Sequence, residues 1–222
     1  MTGALGYNPR MRFQLQPGAR SATTAGAGAA RVLRAAKRLF VRSGGSGFSA
    51  RGVAKEAGLS LGAVQHFFPT RAALLAATLE AVVNEYETAY AAIFAKLPLD
   101  GEARLLRVID WLIDDSWRPQ TRQFFLGFWA LGCHDRNAAR MLDQAYAHHC
   151  ANLAAFIKAA RPGLGDGSCR ALALQIAALI EGLTVLGGLG AQKRGHSRIR
   201  ADVRAAVLRL IGPAAVSVEG GG

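Results

Sequence analysis

Val32, Leu33, Ala36, Leu39 and Phe40 recur at spacings of three and four, so the stretch from Ala27 to Ser43 predicts an amphipathic helix. Its other side carries Arg31, Arg34, Arg38 and Arg42, which either touch phosphates or stay hydrated. Gly44, Gly45 and Gly47 stop it. Residues 47–75 then read as two short helices joined by a glycine turn, with a third starting at Thr70. Ala54 is small where two helices must cross, and Gly58 comes after Ala57 where a left-handed conformation is easiest for glycine. Ser60 caps the next helix, roughly Leu61 to Phe67; Pro69 ends it and Thr70 caps its successor. The repeat Leu75, Leu79, Val82, Tyr86, Tyr90 and Ile93 carries that successor to about Ala95, tying the short helices mechanically to the rest of the chain. Pro98 and Asp100-Gly101 break it, and further helical segments fall near 102–116, 119–133, 137–160, 168–189 and 198–211. No segment sustains strand alternation, so the fold class is all-α.

Charge sharpens this picture. Residues 1–76 hold 11 Lys or Arg against the single acid Glu56, while the remaining chain is nearly balanced, although the net charge of the whole is +12. A cationic excess centred on a helix-turn-helix is the footprint of a polyanion binder. The small side chains at the start of the second short helix, Leu61, Gly62 and Ala63, allow close approach to a groove floor. Residues 1–26 lack helical periodicity and read as a flexible basic arm; Arg10, Arg12 and Arg20 either add phosphate or minor-groove contacts or do nothing. At 222 residues and 51% hydrophobic content the chain can bury a substantial core. Cys133, Cys150 and Cys169 are odd in number and lack metal-type spacing, which suits a reducing cytoplasm, and the N-terminus has no apolar run of a secretory signal.

Arg31 to Phe40, Phe48 to Phe68 and Arg71 to Leu75 together resemble the N-terminal domain of the TetR family of one-component bacterial transcriptional regulators. The resemblance implies a homodimer with a three-helix N-terminal DNA-binding domain and a larger helical domain for ligand binding and dimerisation. It places the DNA-binding domain at 27–76, the ligand domain at 77–212 and a flexible tail at 213–222. Two positions depart from the family: Gln65 stands where tyrosine is usual in the recognition helix, and Arg71 where lysine is usual. Arginine still pairs with phosphate, whereas glutamine can meet either backbone or an adenine edge. Leu61, Ala63, Gln65 and His66 are the candidates for the base edges, Gly62 joins them as a DNA-binding residue, and Ser49, Arg51, Ser60, Thr70 and Arg71 are the candidates for positioning phosphates. A twofold dimer implies a roughly palindromic double-stranded operator. The segment at 125–130, with Ile180 to Leu183, is similar to the choline-responsive repressor subgroup, a shorter match that carries no inducer identity with it.

The aromatic cluster Trp111, Trp117, Phe124, Phe125, Phe128 and Trp129 is either core or the wall of an apolar ligand pocket. For the pocket reading the residues are Trp111, Phe125, Phe128, Trp129 and His149, with Asp110, Asp114 or His134 as further polar groups. Residues 171–190 are apolar nearly all round, but Gln175, Glu181, Thr184 and four glycines make a poor membrane span. The helices at 137–160 and 168–189 are expected to form the dimer interface. Cys133 beside His134, and His148-His149 beside Cys150, contain catalytic residue types, but neighbours on a helix diverge by about 100°. No nucleotide, zinc-protease or hydrolase motif occurs. The expectation is a ligand-released, cytoplasmic repressor without cofactor, metal or catalytic residues. The alternative is an all-helical enzyme or binding protein with an incidental basic domain.

Overall fold

The computed structural model describes residues 7–8, 12–15, 26–96, 100–187 and 196–212. Among them the regular structure is helical throughout: α1 (Ala27–Gly47), α2 (Ala50–Ala57), α3 (Leu61–Phe67), α4 (Arg71–Lys96), α5 (Gly101–Ser116), α6 (Pro119–Gly132), α7 (Arg136–Ala160), α8 (Asp166–Leu186) and α9 (His196–Ile211). The all-α class holds. The tail at 213–222, the glycine-rich 190–195 and the last residues of the expected 168–189 helix lie outside the described residues.

Two compact units form, each from separate stretches of chain. One takes α1 to α3, α4 as far as Ala89, α6, and α7 as far as His148. Its core is the face that the three-and-four spacing marked: Val32, Leu33, Ala36, Leu39 and Phe40 are buried. Phe40 meets Phe48, Phe124 and Phe128 at ring-centre separations of 5.5, 5.2 and 5.2 Å. Gly44 breaks α1 with φ 61° and ψ −169°, at the first of the three glycines that mark its stop.

Part of the expected flexible arm is docked in this unit. Phe13 and Leu15 are buried, and the Asn84 side chain of α4 both accepts from the Phe13 N–H (3.0 Å) and donates to its carbonyl (3.1 Å). Glu80 accepts from the Leu15 N–H, and Phe13 packs on the His148 ring at 5.0 Å. Arg12 donates to Thr88 at 3.1 Å. Two apolar side chains with paired backbone are what hold residues 12–15 down. Arg10 and Arg20 lie outside the described residues.

The other unit contains Tyr7 and Asn8, α4 from Tyr90, α5, α7 from His149, α8 and α9. Ile109, Leu112 and Ile113 of α5, Ile176 and Ile180 of α8, and Val203 and Val207 of α9 fill its core. The buried Arg161 guanidinium ties its ends, with Nε donating to Gly212 O, Nη1 to Ala160 O and Nη2 paired with Glu102 at 2.7 Å. In α7, Leu153 to Ile157 are all buried within the chain. The outer side of α8 differs: Leu174 is 64% exposed, Leu186 52% and Val185 44%. By length and composition α8 could cross a membrane, but Cys169, Ala173, Ile176, Ala177, Ile180 and Thr184 pack inward in this fold.

Candidate nucleic-acid interface

The two short helices are positioned by caps written into the sequence. Ser49 Oγ accepts from the Gly52 N–H and Ser60 Oγ from the Ala63 N–H, both at 3.1 Å, and Thr70 Oγ1 accepts from the Ala73 N–H at 3.0 Å. Each hydroxyl is used as an acceptor, so each still has its hydrogen to donate to a phosphate oxygen. Gly58 takes φ 62° and ψ 42°. Its N–H bonds Lys55 O while the Leu59 N–H bonds Ala54 O, a pairing that closes α2 and turns the chain tightly into α3.

Val64 is the buried residue of α3 and pins that helix to the core. Gly62, Gln65 and His66 consequently face solvent, while Leu61 and Ala63 are half-buried at the flank. Ser49, Arg51, Ser60, Thr70 and Arg71 are exposed around them. The ten positions read from the sequence therefore fall on one connected run of α2, α3 and the start of α4.

Arg71 does more than face outward. Its Nε donates to Phe48 O at 3.0 Å and Nη2 to Gly45 O at 2.7 Å, so the guanidinium holds the loop between α1 and α2 against α4. Nη1 is the part left for a phosphate. The net charge of the region also overstates its free cations. Arg31 donates to Ala57 O at 2.8 Å, and Arg38 and Arg42 both grip Glu56, at 2.9 and 2.8 Å. Hydrogen bonds from Arg38 and then Arg42 hold the Glu56 carboxyl below the usual glutamate range. Lys55 is exposed on α2 and pairs with no carboxylate among the described residues, so it joins Arg51 as an available cation that the sequence reading did not single out. Nothing in the local sequence distinguishes it from Arg38, because the difference is which helix Glu56 faces.

The proposed ligand residues separate. Phe128 is wholly buried against Phe40 and Phe124 in the α1-containing unit. Phe125 edges onto Tyr86, and Trp129 Nε1 donates to Tyr146 Oη at 3.0 Å in the same unit. Trp111 and His149 belong to the other unit. There Trp111 meets Tyr90 at 5.8 Å, Tyr90 meets Phe156 at 5.4 Å, Tyr7 meets Phe156 at 4.9 Å, and His149 Nδ1 lies 3.4 Å from Tyr90 Oη. Sequence reasoning missed Tyr7, Tyr90 and Phe156 because Tyr90 occupies an ordinary core slot in its helix and Phe156 is far away along the chain. Trp117 stacks on His196 at 3.9 Å, Asp110 pairs with Arg204 and Asp114 with Arg200, while His134 is exposed.

Of the residue types that suggested catalysis, Cys133 and His134 are exposed. His148 bonds Glu87 at 2.8 Å. Burial, and next the Glu181 charge, push the Cys150 thiol up; burial does the same to Cys169, away from the thiolate form. No cluster of metal-ligating side chains occurs among the described residues.

Comparison with known proteins bears on both parts of the chain. Residues 32–78 match the family model for bacterial regulatory proteins of the tetR family, and residues 101–212 that for the BetI-type transcriptional repressor C-terminal domain. The HTH-type transcriptional regulator BetI of Burkholderia thailandensis is 30% identical over 165 residues, covering 72% of this chain and 81% of that protein. Its counterpart in Stenotrophomonas maltophilia is 31% identical, covering 62% and 69%. Among solved structures, a transcriptional regulator from Pseudomonas aeruginosa PAO1 superimposes with TM-score 0.70 at 23% identity, covering 82% of this chain and 89% of that one. A regulator from Saccharomonospora viridis in complex with choline gives 0.64 at 21%, covering 80% and 94%.

Proposed function

Since the chain belongs to the TetR family of bacterial transcriptional regulators, with a C-terminal domain of the BetI repressor type, we propose that it represses as a dimer whose two α3 helices enter successive major grooves of a roughly palindromic operator. The observation that carries this is the outward face Gly62, Gln65 and His66, set by the inward Val64 and flanked by hydroxyls and by Arg51 and Lys55. Phosphate contacts fix the register and the α3 side chains read bases. Residues 27–76 serve as the DNA-binding domain and 77–212 as the ligand and dimerisation region. The relatives are regulators rather than enzymes, and we assign no catalytic residue or cofactor; a regulator that acts on the bacterial chromosome works in the cytoplasm.

A paired test separates the roles. Arg71→Ala should weaken binding to every duplex, flatten the dependence of log affinity on log salt by about one unit, and lower the melting point because the Gly45 and Phe48 carbonyls lose their donor. Gln65→Ala should change which base is preferred, by about 1–3 kcal/mol of discrimination at one position. Binding constants from an unbiased duplex selection check both; variants indistinguishable from the parent in affinity and preference would defeat the assignment.

For the dimer, the outer stripe of α8 is the surface that suits a second copy: Ala171, Leu174, Ala178, Gly182 and Val185 repeat at helical spacing, the small ones permitting close helix approach. Leu174→Glu should convert the protein to monomers in sedimentation velocity and abolish tight operator binding. A dimer surviving that change at micromolar concentration would place the interface elsewhere.

Release of the operator requires a ligand that favours one dimer geometry over another, because equal affinity for both shifts nothing. The aromatic faces of Trp111, Tyr90 and Phe156, with His149 as a polar group, are our candidate for its site. Their ring faces suit an organic cation, the chemistry of the choline bound in the Saccharomonospora viridis structure.

A further inference from the structure

A cavity of about 420 Å³, partly open to solvent, lies between α1 and α4 in the α1-containing unit. It shares no residue with the α3 face or with the aromatic set around Tyr90. Arg12, Arg34, Lys37 and Glu85 contribute its charges. Lys37 and Glu85 cancel in an ion pair of 2.6 Å. Arg12 spends one nitrogen on the neutral Thr88 hydroxyl, and Arg34 makes no hydrogen bond or ion pair with any described residue. Two positive charges at this cavity therefore have no carboxylate partner among the described residues. Ala30, Leu33 and Ala81 give it an apolar wall, and Asn84 and Thr88 add hydrogen-bonding groups. Its volume falls within the roughly 300–1,000 Å³ of small-molecule sites. A mostly apolar lining with a few convergent charges is also how such sites fix the orientation of a ligand.

We propose that this groove is a second ligand site, for a small amphiphilic anion whose carboxylate or phosphate meets Arg12 and Arg34 and whose hydrocarbon lies along Ala30, Leu33 and Ala81. The docked segment is part of the site, because Arg12 lines the groove next to Phe13, which is latched to Asn84. Arginine offers its planar fork to either headgroup. The apolar wall gives the chain a reason to bind that inorganic phosphate lacks. Occupancy would bear on α1 and α4 together, and α4 begins at the Arg71 clamp. The proposal stands apart from the operator reading, since it is tested on the free protein.

The experiment is calorimetric titration of the full-length protein with decanoate, decyl phosphate and inorganic phosphate, below the micellar concentration of each amphiphile. One molecule of decanoate or decyl phosphate should bind per chain, with whichever headgroup binds tighter identifying the source, and inorganic phosphate should bind at least about tenfold more weakly. Arg34→Gln should reduce amphiphile affinity about tenfold, the scale of a charged hydrogen bond. Ala81→Leu, which fills the apolar wall and leaves every charge in place, should reduce it comparably, with circular dichroism melts confirming that both variants fold. Unchanged affinity in either folded variant would overturn the proposal. So would equal binding of inorganic phosphate, or a loss of decanoate binding on Trp111→Ala with Arg34→Gln and Ala81→Leu unaffected, which would move the ligand to the aromatic set.

Discussion

Phe128→Ala should destabilise the protein by about 4 kcal/mol, read as a fall in the denaturant midpoint at unchanged slope. The ring is wholly buried, and it meets Phe40 of α1 at 5.2 Å and Phe124 at 5.7 Å. Removing it deletes one partner from an aromatic cluster that joins α6 to α1, and the flanking Phe40 and Phe124 are themselves too tightly held to collapse fully into the space. The loss should reach operator binding through the folded fraction alone, so that affinity recovers when measured per folded molecule. Phe125→Ala is the control: Phe125 is half-buried and edges onto Tyr86 at 6.2 Å, so its loss should cost clearly less. If instead Phe128→Ala kept the parent's stability and only changed the response to ligand, the residue would return to the role of a pocket wall.

Gly101→Ala is the second, and its sign is the informative part. At the first position of a helix capped by Asp100, whose carboxylate accepts from the Ala103 N–H at 2.7 Å, alanine ordinarily stabilises by reducing the freedom of the unfolded chain. Here a Cβ would overlap the Ala159 carbonyl and crowd the Ala160 nitrogen of α7. Those are backbone atoms and cannot rotate aside, so the expected result is a loss of about 3 kcal/mol, the upper part of the range for overpacking. Separating α5 from the end of α7 would also strain the Arg161 contact with Glu102. Thermal melts of the purified variant decide the matter: a melting point equal to or above that of the parent would mean that the two helix ends do not approach as closely as this.

Much of the helix-turn-helix is legible without coordinates because its determinants are local. Gly58, Ser60 and Thr70 each act on the backbone within three residues, and α3 runs Leu61–Phe67 as those signals imply. The outward Gln65 and His66 result from one buried neighbour, Val64. The aromatic cluster was less legible. Phe125, Phe128 and Trp129 share helical spacing with core residues and with pocket residues alike, and only their partners Tyr86, Phe40 and Tyr146 distinguish the cases. The cation inventory failed similarly: Arg38 and Arg42 look as available as Lys55 until Glu56 is seen between them.

By itself the amino-acid order determined the helices, their caps and turns, and the helix-turn-helix they build, since periodicity, glycine at a positive φ and side-chain caps all operate over a few bonds. Tertiary structure alone decided which positive charges remain free, that residues 12–15 dock on Glu80 and Asn84, and that Phe128 is core. These depend on groups dozens of residues apart meeting at hydrogen-bond or contact distance, and chain separation carries no record of such distances.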